Sequence, residues 1–267
     1  MTGAASGSLG VTLALSGGGV LVLMLATFAA GVALGRHNVA DIAWGLGFAV
    51  VAVVSLASSA GHGQEARRVL LAAVTVIWGL RLATHIFWRS RGAGEDPRYA
   101  DLLDKAKGNR SWYALRTIYL AQGALIWLIS LPVQVGMFAG RPLVPLLVIG
   151  CLLWLCGLLL EAVGDRQLER FKADRANHGK IMDRGLWRYT RHPNYFGDAC
   201  AWWGIFMIGC GSWASLATVI SPLLMTYLLV WGSGKRLTEK RMVKTRPGYA
   251  DYAARTSGFL PLPPRSR

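Results

Sequence analysis

Gly185-Leu-Trp-Arg-Tyr-Thr-Arg-His-Pro-Asn-Tyr-Phe-Gly-Asp198 is a polar, aromatic and cationic run that leads straight into an apolar stretch. Pro193 suits the first turn of a helix, where a missing N–H costs nothing. A helix starting there carries Asn194 and Asp198 on one face, four residues apart. Asp198 then lies at a membrane boundary, and a carboxylate at that depth is costly without a partner. The spacing therefore marks both residues as functional and places a bilayer helix on their C-terminal side.

The rest of the chain fits that setting. Of 267 residues, 53% are hydrophobic and only 16% charged, and the apolar ones gather in blocks. The expected fold is all-α, a polytopic membrane protein whose cytoplasmic loops cap a cofactor cavity. A bilayer helix needs about 20 residues, which predicts seven spans at roughly 14–35, 39–60, 69–88, 114–136, 142–163, 195–211 and 213–232. Only a Gly-Cys-Gly-Ser turn parts the last two. The Gly17-Gly-Gly19 run is expected to fray or bend the first span, and Leu131-Pro132 to kink or end the fourth. The first span has no cationic lead and no evident cleavage site, so it reads as a retained helix. The whole chain, 1–267, reads as one integral membrane domain. Residues 1–136 form its substrate side, and 137–267 its cofactor side.

The net charge of +15 raises a nucleic-acid reading, and its distribution answers it. With seven spans, 25 of the 29 Lys and Arg fall on one side, and no nucleic-acid-reading motif is present. That side is expected to be cytoplasmic, with the N-terminus outside, and to attract anionic cofactor and anionic lipid. Cys151, Cys156, Cys200 and Cys210 lie in or beside apolar spans without a Cys-x-x-Cys pair, so no metal site is expected.

Polar residues inside apolar spans mark the candidate sites. Asp41 opens the second span, three residues before Trp44. Arg81 and His85 lie four apart in the third, one turn beyond Trp78. Gln122 shares a face with Arg116 and Tyr119 in the fourth, and a buried amide needs partners. Glu161 and Asp165 are two carboxylates on one face near a helix C-terminus, doubly unfavourable unless they hold something. Residues 166–184 alternate Leu168 and Phe171 with cations, as an interfacial segment does. Lys180, Arg184, Arg188 and Arg191 continue the basic run, and some of them are candidates for phosphate. In the tail, Gly232–Arg236 does not fit a phosphate loop, whereas Glu239, Arg241, Arg246, Tyr249 and Tyr252 are placed to fold back under the membrane. The loop 89–113 carries Arg91, Glu95, Asp96, Arg98 and Tyr99. No Gly-x-Gly-x-x-Gly follows a strand, so any dinucleotide must be gripped by side chains from helix ends and from the basic segments 89–116, 166–198 and 234–255.

Arg191-His-Pro-Asn-Tyr-Phe-Gly-Asp198 resembles the C-terminal signature of the membrane steroid 5α-reductase and sterol reductase families, in their bacterial branch. Further matches are Asp41-x-x-Trp44-Gly45, Arg91-Gly-x-Gly-Glu-Asp-Pro-Arg-Tyr99, Ser130-Leu-Pro132, Glu161-x-x-x-Asp165 and Arg246-Pro-Gly-Tyr-x-x-Tyr252. Isoprenylcysteine carboxyl methyltransferases share the Arg-His-Pro core, and the Asn-Tyr-x-Gly-Asp continuation favours the reductases. The resemblance implies NADPH as cofactor and a lipophilic enone, such as a 3-oxo-Δ4-steroid, as substrate. Hydride goes to the β-carbon and a proton to the α-carbon. It implies a cofactor site among Glu161, Asp165, Lys180, Arg184, Trp187, Arg191, His192, Asn194, Tyr195, Asp198, Arg241, Arg246, Tyr249 and Tyr252. The family places an acid and a tyrosine in the N-terminal spans to hold the substrate carbonyl. The candidates for that role are Asp41, Arg81, His85 and Tyr119, with Trp44, Trp78 and Gln122 beside the substrate. The alternatives are an S-adenosylmethionine-dependent methyltransferase and a non-catalytic lipid-binding protein. The expected location is a bacterial inner membrane.

Overall fold

The computed structural model describes residues 7–141, 143–232 and 234–265. Pro142, the expected first residue of the fifth span, and Ser233, in the Gly232–Arg236 run, lie outside them. Among the described residues there is no strand, only an isolated bridge between Thr190 and Ser257. Six helical stretches are long and apolar enough to cross a membrane: Leu9–Leu34, Val39–Ser58, Glu65–Ser90, Arg110–Gly136, Val144–Ala173 and Trp213–Thr245. The protein is an integral membrane protein.

The elements differ from expectation in physically instructive ways. Helix α1 (Leu9–Leu34) starts earlier, capped by Ser8, whose Oγ accepts from Val11 N at 3.3 Å. It runs unbroken through Gly17–Gly19, so the expected fraying or bending is corrected. The bare backbone there lets neighbours close in: a Cβ on Gly17 would lie 3.2 Å from the Trp127 indole nitrogen. After α2 (Val39–Ser58), α3 (Glu65–Ser90) and the short α4 (Pro97–Leu103), the fourth span is composite. It comprises α5 (Arg110–Ala114), a π-helical stretch Leu115–Leu120, α6 (Ala121–Ile129) and α7 (Leu131–Gly136). The break falls at Ser130, and Pro132 occupies the first turn of α7, where it removes no needed donor. Helix α8 (Val144–Ala173) carries the fifth span about three turns beyond the expected apolar region. The sixth expected span is α9 (Pro193–Gly209), which begins at the predicted proline. Its 17 residues fall short of the other spans. Then follow α10 (Trp213–Ala217), α11 (Ile220–Val230), α12 (Lys235–Thr245) and α13 (Tyr249–Arg255).

The chain divides into two compact units. The first runs through Leu147 and includes Ile208–Ser221. Its centre is the α2–α3 pair, where Gly45 and Gly79 face each other so closely that a Cβ on either would sit 2.5 Å from the other's carbonyl oxygen. Trp44, Phe48 and Trp78 form an edge-to-face ladder with centroids 5.4 Å apart at each step. Arg67 and Arg68 are buried at the start of α3. They donate to the carbonyls of Ala139 and Gly140, and of Leu56, respectively.

The second unit comprises Val148–Met207 and the chain from Pro222 onward. Helices α8 and α9 pack antiparallel along a seam of glycines. A Cβ on Gly204 would meet Gly150 O at 2.6 Å, one on Gly197 would meet Gly157 O at 2.5 Å, and one on Gly164 would meet Pro193 Cγ at 3.1 Å. Lipid offers no hydrophobic drive between helices, so such close approach supplies the van der Waals contact that holds them. Trp203 Nε1 donates to Thr226 Oγ1 of α11 at 3.2 Å.

Candidate functional site

The glycine seam ends at a group of buried polar side chains. Gly197 brings α9 against α8 at Glu161, since a Cβ there would lie 2.6 Å from Glu161 N. Glu161, Asp165 and Asp198 are all buried. Asn194 Nδ2 donates to Asp165 Oδ1 at 3.1 Å. The carboxylate can only accept, which turns the Asn194 carbonyl the other way. That oxygen, Oδ1, is enclosed and meets no hydrogen-bond donor. Trp187 is buried beside this group and its Nε1 donates to Gly164 O at 3.0 Å. Tyr195 stacks on His192 with parallel rings 5.1 Å apart.

Several residues of the expected cofactor site fasten the tail. Arg191 Nε donates to Glu239 Oε1 at 2.8 Å, and its Nη1 to the carbonyls of Ala253 and Thr256. His192 Nε2 donates to the same Glu239 oxygen at 3.1 Å. Burial alone would raise the Glu239 carboxyl, but the hydrogen bonds from His192 and Arg191 more than offset it and hold it at about 2. Burial depresses His192 below its usual range, and the Glu239 contact restores only part of that. Tyr252 Oη donates to Trp187 O at 2.5 Å, Thr190 Oγ1 to Phe259 O at 2.9 Å, and Arg191 N to Ser257 O at 2.9 Å. Tyr249 and Tyr252 are buried under this clasp. Lys180, Arg184 and Arg241 are exposed and Arg246 is half-buried, so these cations remain open to an anion.

The first unit holds a second group, at the opening of α2. Tyr99 Oη donates to Asp41 Oδ1 at 2.5 Å, and Arg98 Nη2 donates to Asp41 Oδ2 at 2.9 Å. Gln122 Nε2 donates to Tyr99 Oη at 3.0 Å. Burial first, then the Asp41 carboxylate, push the Tyr99 hydroxyl well above its ordinary range, so it keeps its proton at any physiological pH. Glu95 fixes the loop that carries Tyr99, because its carboxylate accepts from His37 N at 2.5 Å and Asn38 N at 3.0 Å, the exposed donors that precede α2. Tyr119 lies apart from Tyr99 in this network: it is fully buried and its Oη pairs with His37 Nδ1 at 2.9 Å. Trp44 stands one turn beyond Asp41, at the half-buried end of the aromatic ladder, and Trp78 is fully buried. Arg81 and His85 lie one turn apart on α3, both half-buried.

Sequence reasoning missed Tyr99 as a partner of Asp41. The signal lay in Arg91–Tyr99, a loop motif that the resemblance makes part of the cap over the cofactor.

The family model for "Protein of unknown function (DUF1295)" matches residues 27–256. The chain belongs to this family. Within DUF1295, both polar groups fall inside the matched region. A relative is the uncharacterized protein C594.04c of Schizosaccharomyces pombe, 24% identical over 226 residues that cover 75% of this chain and 65% of that protein. The chain thus spans just under two thirds of the length of the curated relative it matches. No solved structure matches it significantly.

Proposed function

We propose that this protein is an NADPH-dependent membrane reductase acting on the C=C bond of a lipophilic enone, with a 3-oxo-Δ4-steroid as the model substrate. The observation that carries the reading is the Tyr99–Asp41 pair: a buried tyrosine that keeps its proton, backed by an acid, at the polar end of an aromatic ladder. An enone that develops negative charge on its carbonyl oxygen calls for such a donor, and to serve it the Tyr99 hydroxyl turns its single proton from Asp41 Oδ1 onto that oxygen. Asp41, held by Arg98, orients the Tyr99 hydroxyl, and Trp44 offers an apolar surface to the substrate body.

The second unit fits a dinucleotide. The enclosed Asn194 Oδ1 is an acceptor awaiting an amide N–H, as a nicotinamide carboxamide provides. Asp165 suits ribose hydroxyls, while Lys180, Arg184 and Arg241 suit phosphates, including a 2′-phosphate. When bound, the dinucleotide supplies the hydride. Glu161 and Asp198 line the same seam. We further propose that α9 also crosses the membrane, giving seven spans. Its antiparallel contact with α8 from Gly164 to Gly150 supports this, as does its length of about 25 Å. Seven spans put the N-terminus outside and the basic loops in the cytoplasm, in a bacterial inner membrane.

The test is thermal. In detergent, NADPH should raise the melting temperature and S-adenosylmethionine should not, and NADPH should be consumed when a 3-oxo-Δ4-steroid is added. Stabilisation by S-adenosylmethionine alone, or by neither, overturns the reading.

A further inference from the structure

Helix α12 is divided lengthwise. Lys235, Thr238, Glu239 and Met242 are half-buried, at the spacing of one helical face. Arg236, Leu237, Lys240, Arg241, Val243 and Lys244 are exposed and fill the opposite face. The helix has a single acid, Glu239, and it is turned inward onto Arg191 and His192. The outward face therefore presents four cations with no counter-charge of its own element, interleaved with Leu237 at 48% exposure and Val243 at 59%.

The position of this face decides what it meets. Helix α11 is the apolar part of the Trp213–Thr245 stretch, and at its C-terminal end Tyr227 and, just past the helix, Trp231 are exposed rings with centroids 6.2 Å apart. Aromatic pairs of this kind sit at the headgroup level of a bilayer. Lys235 follows four residues later, so α12 leaves the span at the membrane surface. With five cations it is too charged to enter the hydrocarbon.

We infer that the outward face of α12 docks on the anionic leaflet of the membrane. Arg236, Lys240 and Lys244 engage lipid phosphates while Leu237 and Val243 settle among the acyl-chain ends. A basic cluster directly following a span gains electrostatic attraction at every cation, and that attraction weakens as salt screens it. Docking keeps α12 in the orientation in which Glu239 reaches Arg191 and His192. Neutral lipid offers the same interface depth without the charge.

The experiment uses the full chain in vesicles of phosphatidylcholine alone or with one third phosphatidylglycerol, read by hydrogen exchange of residues 235–245. The expected result is slower exchange in the anionic vesicles, reversed by 0.5 M salt. The gain should disappear in Arg236→Gln/Lys240→Gln/Lys244→Gln, whose sites are exposed. Equal exchange in the two vesicle types, a gain insensitive to salt, or a gain retained by the triple variant overturns the inference. If the triple variant does not fold, the wild-type salt series decides alone.

Discussion

The two polar groups make separable demands on single residues. Tyr99→Phe removes the one proton that the Asp41 pair controls while keeping the ring. Its expected effect is a fall of about 10²–10³ in the rate of enone reduction, with NADPH-induced thermal stabilisation unchanged. Asn194→Ala and Asp198→Ala should do the reverse, abolishing the stabilisation by NADPH and with it the activity. Full activity of both in a steady-state assay would remove these residues from the site. The two outcomes should come apart, because the Tyr99 hydroxyl bonds Asp41 and Gln122 whereas the Asn194 amide bonds Asp165. Asn194 and Asp198 were legible in the sequence, since polar groups in an apolar run advertise themselves. Tyr99 was not, because its partner lies 58 positions away and only the fold brings the loop onto α2.

At the level of elements, the glycine seam between α8 and α9 sets how close the buried acids come. Gly197→Leu places a branched side chain where even a Cβ would be 2.5 Å from Gly157 O. Helix separation should cost about 1–3 kcal/mol or more and loosen Asn194 from Asp165, read as a lowered melting temperature in detergent. Gly18→Ala is the control: nothing lies within 4 Å of its Cβ position, so it should be neutral or stabilise by up to about 1 kcal/mol. The helical blocks themselves were legible from hydropathy, and the start of α9 from Pro193. What hydropathy does not register is how a helix is packed. The run Gly17–Gly19 reads as weak by propensity, yet it stays regular because Trp127 and Val50 press against it. The π-helical stretch Leu115–Leu120 likewise leaves no mark in an apolar window.

For the molecule as a whole, the tail clasp is the feature that pH should govern. It fastens α12 and α13 to the 187–192 segment through Glu239, shared by Arg191 and His192. Glu239 titrates at about 2 in the folded protein against 4.5 for a free carboxyl, so it contributes stability that is present above 4.5 and lost as pH falls toward 2. His192 is depressed below 6.5, which means the unfolded chain binds its proton first. Its contribution therefore also fades as pH drops below 6.5. Both groups weaken the clasp in acid, and neither does so above neutrality. Melting temperature measured in detergent from pH 8 to 3 should stay level to about 6.5, then decline, with a steeper limb below 4.5. Glu239→Gln should already lose roughly 1.5–3 kcal/mol at pH 7, the worth of hydrogen bonds to a charged group. Its curve should lack the steeper acid limb, and protease should cut between α12 and α13 at pH 7 as it cuts the wild type only in acid. A Glu239→Gln curve parallel to wild type below pH 4.5 would mean that the clasp is held by the Thr190, Arg191 and Tyr252 backbone contacts alone.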